Sequence, residues 1–178
     1  TERPVFTTFA LSLSDLMYNI YSHNNSILHG VFVNVGAADG CLNLKKECDE
    51  ANELLPLHDL QISVGEVRAR NKELYEKVAF RGILFEPGDT TLLSKSYAVD
   101  SFTVVPISLD YARSVEAFVQ ANVPLEFDVL KFDTDGPDCD SIDTILSGCY
   151  LPSLIMAEFH LVFPPPLRFN QLVTPGNL

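Results

Sequence analysis

The sequence predicts an α/β fold built on a doubly wound, mostly parallel sheet of about five strands with flanking helices. Three observations support this prediction. Short apolar runs rich in valine, isoleucine and phenylalanine recur along the chain, and segments with helical spacing separate them. Glycine or acidic residues directly follow several of the runs. Ligands of such sheets bind outside the carboxyl ends of the strands, so these residues are the first candidates for a site.

The first predicted elements are a helix and a strand. Residues 12–21 place leucine, methionine and isoleucine at helical spacing, which predicts a helical N-terminal segment within residues 1–29. The run VFVNV at 31–35 is almost continuously apolar. Such a run is typical of a strand that is covered on both faces of a parallel sheet.

A helical insertion is predicted between the first and second strands. Residues 41–80 contain two charged runs with helical spacing, which Pro56 divides. Residues 82–85 form the second strand, and Glu86 and a Pro-Gly turn follow it. The gap from Gly36 to Glu86 is longer than a single crossover helix needs.

The rest of the chain continues the alternation within one predicted domain, 1–178. Strands are expected at 102–105, 127–132 and 154–157. Helices are expected at 90–98, 114–122 and 141–146. Gly148 is predicted as the C-cap of the last helix. Residues 161–178 are a proline-rich C-terminal segment. Together these elements describe a Rossmann-like sheet.

Composition and charge exclude several classes of protein. A chain of 178 residues, 47% of them hydrophobic, can bury one sizeable core. Its formal net charge of −12 repels phosphate backbones, so no nucleic-acid partner is expected. No run approaches the roughly 20 apolar residues of a transmembrane segment. The four cysteines lack paired metal-ligand spacing and are predicted to be free thiols.

The turn after the first strand discriminates among nucleotide-like ligands. The sequence VGAADG contains neither a GxGxxG turn nor a phosphate-binding loop, and Asp39 would repel a diphosphate. These features argue against a nicotinamide-linked oxidoreductase. S-adenosylmethionine fits better, because carboxylates favour its sulfonium and ammonium groups. Glu86, at the second strand end, can accept hydrogen bonds from both of its ribose hydroxyls.

Four blocks in this order carry a family resemblance: VFVNVGAADG, RGILFEPGD, DVLKFDTDGPDCDSIDTILSG and LIMAEFH. The sequence resembles the FkbM-type S-adenosylmethionine-dependent methyltransferases over about residues 30–160. The third block matches best, with Lys131, Asp133, Gly136, Asp138 and the Leu-x-Gly that ends at Gly148. The resemblance implies a class I methyltransferase fold and methyl transfer to a hydroxyl oxygen of a small or glycan-like acceptor.

The resemblance also implies roles for individual residues. The implied cofactor-binding residues are Asn34, Gly36, Ala37, Asp39, Gly40, Glu86, Pro87, Ser108 and Asp133. Asp133 would lie near the transferable methyl group and would orient or deprotonate an acceptor hydroxyl, with Lys131 or His160 assisting. Glu158 and His160 would face the acceptor. No metal is expected, because in DTDGPDCD Gly136 comes too early for an EF-hand loop and Pro137 stands where a ligand should be.

Three departures from the family pattern keep a second function open. Asn34 stands where the family usually has an acid, residues 41–80 form an insertion, and the last two strands of the class I methyltransferase sheet are expected to be absent. The alternative is therefore a non-catalytic structural or docking subunit of a larger assembly of proteins, an organellar one included. The chain starts at Thr1, which a removed transit peptide would explain. The sequence leaves the compartment unknown.

Overall fold

The fold is a parallel sheet of five strands with helices on both faces. The computed structural model describes residues 13–24, 29–37, 78–90, 98–109, 112–134 and 138–157. In chain order the elements are α1 (Leu13–Asn24), β1 (Val31–Val35), β2 (Arg81–Phe85), a 3₁₀ turn (Val99–Ser101), β3 (Phe102–Val105), α2 (Ser114–Gln120), β4 (Glu126–Phe132), α3 (Asp138–Ser147) and β5 (Leu151–Ala157). The strand order is β3-β2-β1-β4-β5, and every pair is parallel. The predicted Rossmann-like α/β architecture is confirmed.

The strands agree closely with the sequence-based prediction, and the differences fall at element ends. Strand β1 has the predicted bounds, and β2 and β4 each begin one residue earlier than predicted. Helix α2 ends at Gln120 because Asn122 adopts a left-handed conformation, with φ of 53°. Strand β5 begins at Leu151 and includes Pro152, which edge strands tolerate.

Several predicted segments lie outside the described residues. They include most of the 41–80 insertion, the centre of the predicted 90–98 helix and the segment 161–178. The expected absence of two further strands concerns the chain beyond Ala157 and stays a prediction. None of the described helices has the length and apolar character needed to cross a bilayer.

Each face of the sheet buries its own apolar cluster. On one face, Leu13 and Met17 of α1 pack with Phe32, Leu84 and Val129 from the central strands. Their spacing on α1 puts both side chains on the same side of the helix. This explains why the predicted N-terminal helix belongs to the domain.

The other face is built around Phe118 of α2. Its ring stacks on Phe85 with centroids 5.3 Å apart, and it makes edge contacts with Phe127 at 6.5 Å and Tyr150 at 5.1 Å. Ile145 of α3 belongs to the same cluster. Aromatic pairs of this kind contribute about 0.5–1.5 kcal/mol beyond their buried area. The cluster therefore fixes α2 and α3 against the sheet.

Gly148 directly follows the last helical residue of α3, as predicted for a C-cap, but it does not adopt the left-handed conformation. The left-handed residue is Cys149, with φ of 67°, and the Tyr150 N–H donates to the Ile145 carbonyl oxygen at 3.4 Å. This is the bond of a Schellman ending, with cysteine in the usual glycine place. Gly148 has a packing role instead, because a Cβ atom there would lie 2.7 Å from a Val115 methyl group on α2.

Candidate functional site

The candidate site lies where the strand order reverses. The chain runs from β1 to β2 and β3 on one side, and then crosses to β4 on the other side of β1. In open α/β sheets, the crevice for ligands opens at this point, outside the carboxyl ends of the strands. The residues that follow β1, β2 and β4 are therefore neighbours at one edge.

The turn after β1 brings the carboxyl ends of three strands together. Gly36 has φ of 77°, and its N–H donates to the carbonyl oxygen of Phe85, in β2, at 2.9 Å. On the other side, the N–H of Asp133 donates to the carbonyl oxygen of Val35 at 3.1 Å. A Cβ atom at Gly36 would overlap the Asp133 carbonyl oxygen. The local geometry therefore requires glycine here, with or without a ligand.

An ion pair lies beside this turn. Lys131, in β4, donates from Nζ to Oδ2 of Asp133 at 3.0 Å. The Lys131 side chain is 7% exposed, whereas that of Asp133 is 39% exposed. A buried ammonium group needs an anionic partner, because its desolvation is costly. The pair places a buried cation behind a carboxylate that reaches the surface.

Asn34 lies in the same row of the sheet as Lys131. It is fully buried in β1, and its register partners are Leu84 in β2 and Lys131 in β4. Its side-chain oxygen meets no hydrogen-bond donor within the described part of the chain, although the residue has another interaction. The sequence analysis assigned Asn34 to the cofactor site, and its burial leaves that contact a prediction.

Glu86 stands at the end of β2 and is partly tied to its own turn. Its backbone N–H donates to the carbonyl oxygen of Val105 at 3.1 Å, which joins the end of β2 to β3. Its Oε1 accepts a hydrogen bond from the N–H of Gly88 at 2.7 Å, around the exposed Pro87. A carboxylate offers about four lone-pair positions, so this bond does not exhaust its capacity. Glu86 is thus held at the same edge as Gly36.

The loop after β3 borders a separate, shallow cleft. It is lined by Ser108 and its two neighbours and, from α2 and the residue before it, by Arg113, Glu116, Ala117 and Gln120. The cleft holds about 190 Å³, below the roughly 300–1,000 Å³ of pockets that bind drug-sized ligands. Of the predicted cofactor residues that the structure describes, only Ser108 borders it. The cleft is therefore distinct from the described strand-end cluster around Gly36 and Asp133.

A hydroxyl group after β4 was missed by the sequence analysis. Thr134 Oγ1 donates to Oδ1 of Asp138 at 2.5 Å, and both residues flank the candidate site. Asp138 is nearly buried and lies in the first turn of α3. Its carboxylate suits the positive end of the helix dipole. Thr134 directly follows Asp133 at a strand end, and this position in the sequence could have identified it as a candidate site residue.

The other predicted site residues divide into two groups. Ala37 is buried, and its methyl group packs in the core on the α1 face, so only its backbone can meet a ligand. Asp39, Gly40, Glu158 and His160 lie outside the described residues, and their roles stay predictions. The structure therefore brings together Gly36, Asn34, Glu86, Lys131 and Asp133.

Metal-binding and thiol chemistry are limited in the described part of the chain. Within it, no group of three or more histidine, cysteine, aspartate or glutamate side chains could hold a metal ion. Cys139 and Cys149 are free thiols and are exposed. Among the described residues, the polar groups at the strand ends are carboxylates, backbone amides, the Lys131 ammonium group, the Asn34 side-chain amide and the Thr134 hydroxyl.

The fold is that of a Rossmann-like α/β protein, and the strand-end cluster is a candidate polar site at its topological switch point. Comparisons with protein-family models, with curated proteins and with solved structures found no match. The methyltransferase resemblance therefore stays a prediction, carried by the residues of this chain.

Proposed function

We propose that the protein is an S-adenosylmethionine-dependent methyltransferase that transfers a methyl group to a hydroxyl oxygen of a small or glycan-like acceptor. The observation that supports this most is the grouping of polar and glycine residues at the carboxyl ends of three adjacent strands, at the switch point. Gly36 follows β1, Glu86 follows β2, and the Lys131–Asp133 pair lies at the end of β4. A class I methyltransferase uses this edge of the sheet for its cofactor. The finer assignment to the FkbM-type family belongs to the same proposal.

The residues present fit the proposed cofactor in charge. The Asp133 side chain is 39% exposed and ends in a carboxylate, and Glu86 carries a second carboxylate at the same edge of the sheet. Anionic groups favour a sulfonium and accept hydrogen bonds from ribose hydroxyls. When bound, the cofactor would supply an electrophilic methyl group on its sulfur.

The chain's contribution to the chemistry would be positioning. In an in-line displacement, the acceptor oxygen forms the new bond to the methyl carbon while the carbon–sulfur bond breaks and its electron pair stays on sulfur. Asp133 would accept a hydrogen bond from the acceptor hydroxyl, orient it, and receive its proton or pass it to water. Alignment of reacting groups can supply about 7–11 kcal/mol of a barrier, so a strong base is not needed.

Calorimetric titration of S-adenosylmethionine and S-adenosylhomocysteine tests the cofactor proposal. We expect dissociation constants in the micromolar range, on the order of −8 kcal/mol, and at least about tenfold weaker binding to Glu86→Ala. Glu126→Ala is the matched control, because it removes an exposed acid from the opposite end of the sheet and should leave binding unchanged. A folded chain that binds neither ligand would contradict the proposal.

The second candidate, a non-catalytic docking subunit, is favoured by an exposed apolar surface. Leu151 and Ile155 of β5 are 59% and 39% exposed, and the adjoining Leu125 is 56% exposed. Apolar side chains clustered on a surface often mark a protein interface. Failure of both cofactor titrations, with cooperative unfolding retained, would favour this candidate over the enzyme.

A further inference from the structure

The Lys131 ammonium group is too enclosed to meet a ligand directly. Its side chain is 7% exposed, and its register neighbours are Asn34 on one side and Met156 on the other. Asp133 lies past the end of β4, and its side chain is 39% exposed. A ligand at the sheet edge can therefore contact Asp133 while Lys131 stays behind it.

Asp133 is held by its main chain as well as by its side chain. Its N–H donates to the Val35 carbonyl oxygen at 3.1 Å, and its own carbonyl oxygen lies against Gly36. The Lys131 ammonium then holds Oδ2 at 3.0 Å. Charge-assisted hydrogen bonds of this kind are short and directional. Backbone and carboxylate are thus both preorganised.

We propose that Lys131 is a positioning residue, whose effect on ligand binding passes through the Asp133 carboxylate. This inference rests on the proposed function, because the ligand concerned is S-adenosylmethionine. The positioned carboxylate faces the sulfonium charge that S-adenosylmethionine has and S-adenosylhomocysteine lacks. Loss of the position therefore weakens the charged ligand more than the neutral thioether.

A double-mutant cycle on affinity tests this inference. Both ligands are titrated into the wild-type chain, Lys131→Met, Asp133→Asn and the double variant, after thermal unfolding has established that each is folded. We expect Lys131→Met to weaken S-adenosylmethionine about five- to tenfold and S-adenosylhomocysteine less than about twofold. In the Asp133→Asn background, the effect of Lys131→Met disappears.

The control is Arg81→Met, which removes an exposed positive charge at the start of β2 and should leave both affinities unchanged. Lys131→Gln takes the place of Lys131→Met if the latter does not fold.

The alternative outcomes separate failure of this inference from failure of the proposed function. Equal losses for both ligands, or equal losses in both backgrounds, would reduce Lys131 to a structural residue. Tighter binding of S-adenosylmethionine by Lys131→Met would mean that the ammonium repels the sulfonium directly. Failure of the wild-type chain to bind overturns the proposed function and this inference with it. Additive effects in a chain that binds overturn this inference alone.

Discussion

The two ends of the sheet hold their carboxylates in opposite ways. Toward the amino end, Asp128 of β4 is fully buried and accepts hydrogen bonds from the backbone N–H groups of His29 and Val31 at 2.9 and 3.0 Å. At the carboxyl end, Asp133 is partly exposed and pairs with the Lys131 side chain. Asp128 is enclosed by main chain and ties the start of β1 to β4, whereas Asp133 can still meet a ligand. The comparison separates a carboxylate that serves the fold from one suited to a site.

The largest expected loss of stability comes from substituting the glycines at the two ends of β1. Gly30 and Gly36 both have positive φ, 70° and 77°, so alanine is strained at either position. A Cβ atom at Gly30 would lie 3.1 Å from the Ala79 carbonyl oxygen, whereas one at Gly36 would overlap that of Asp133. We expect Gly36→Ala to lower the free energy of unfolding by about 4 kcal/mol or more, and Gly30→Ala by about 1–2 kcal/mol. Denaturant unfolding of both variants measures the difference, and equal losses would contradict the close approach at Gly36.

Asp128→Ala comes next and concerns the amino end. The substitution leaves two backbone N–H groups without their charged acceptor, and such bonds contribute about 1.5–3 kcal/mol each. We expect a loss of about 3 kcal/mol in the free energy of unfolding, with unchanged cofactor affinity per folded molecule. Glu126→Ala, two residues away and exposed, is the control and should stay within about 0.5 kcal/mol of the wild type. If folded Asp128→Ala lost affinity for the cofactor, Asp128 would influence binding at the opposite end of the sheet, and the proposed separation of the two ends would be wrong.

The smallest effect at neutral pH is expected for Tyr150→Phe, also at the amino end. Burial raises the pKa of the Tyr150 phenol above its usual 10.0. The folded state holds this proton more tightly than the unfolded state does. The protonated phenol therefore contributes its full share to the free energy of unfolding below about pH 10, and this share is lost as pH rises through the folded pKa. The wild-type chain should therefore lose more stability above about pH 10 than Tyr150→Phe does. Parallel pH profiles of the unfolding free energy test this, and identical profiles would contradict it.

Sequence reasoning located the strands well because their signal is local. The run VFVNV is long enough, apolar enough and clearly enough ended by glycine to set both bounds of β1. Helix ends were harder: Cys149, rather than Gly148, takes the left-handed position after α3. Gly148, directly after α3, is where a side chain would meet Val115 on α2. No local pattern encodes such a contact.

In the candidate site, too, features with a local sequence signal were predicted and contacts between elements were not. Gly36, Glu86 and Asp133 were found as residues that follow strands, since strand ends can be read from the sequence. The pairing of Lys131 with Asp133, the backbone partners of Asp128 and the bond from Thr134 to Asp138 were not found as contacts. Burial decides what these polar groups do, and burial depends on neighbouring strands.

By itself, the sequence determined the alternation of strands and helices, the parallel sheet and the identity of the residues at its edges, because apolar periodicity and turn residues act over short distances. Tertiary structure alone decided which carboxylate is enclosed and which is open. Strand β4 lies beside β1, so the main chain before β1 satisfies Asp128, and the turn at Gly36 packs against the backbone of Asp133. Two aspartates of the same chemistry are thereby placed in different environments, because long-range packing desolvates one and leaves the other partly exposed.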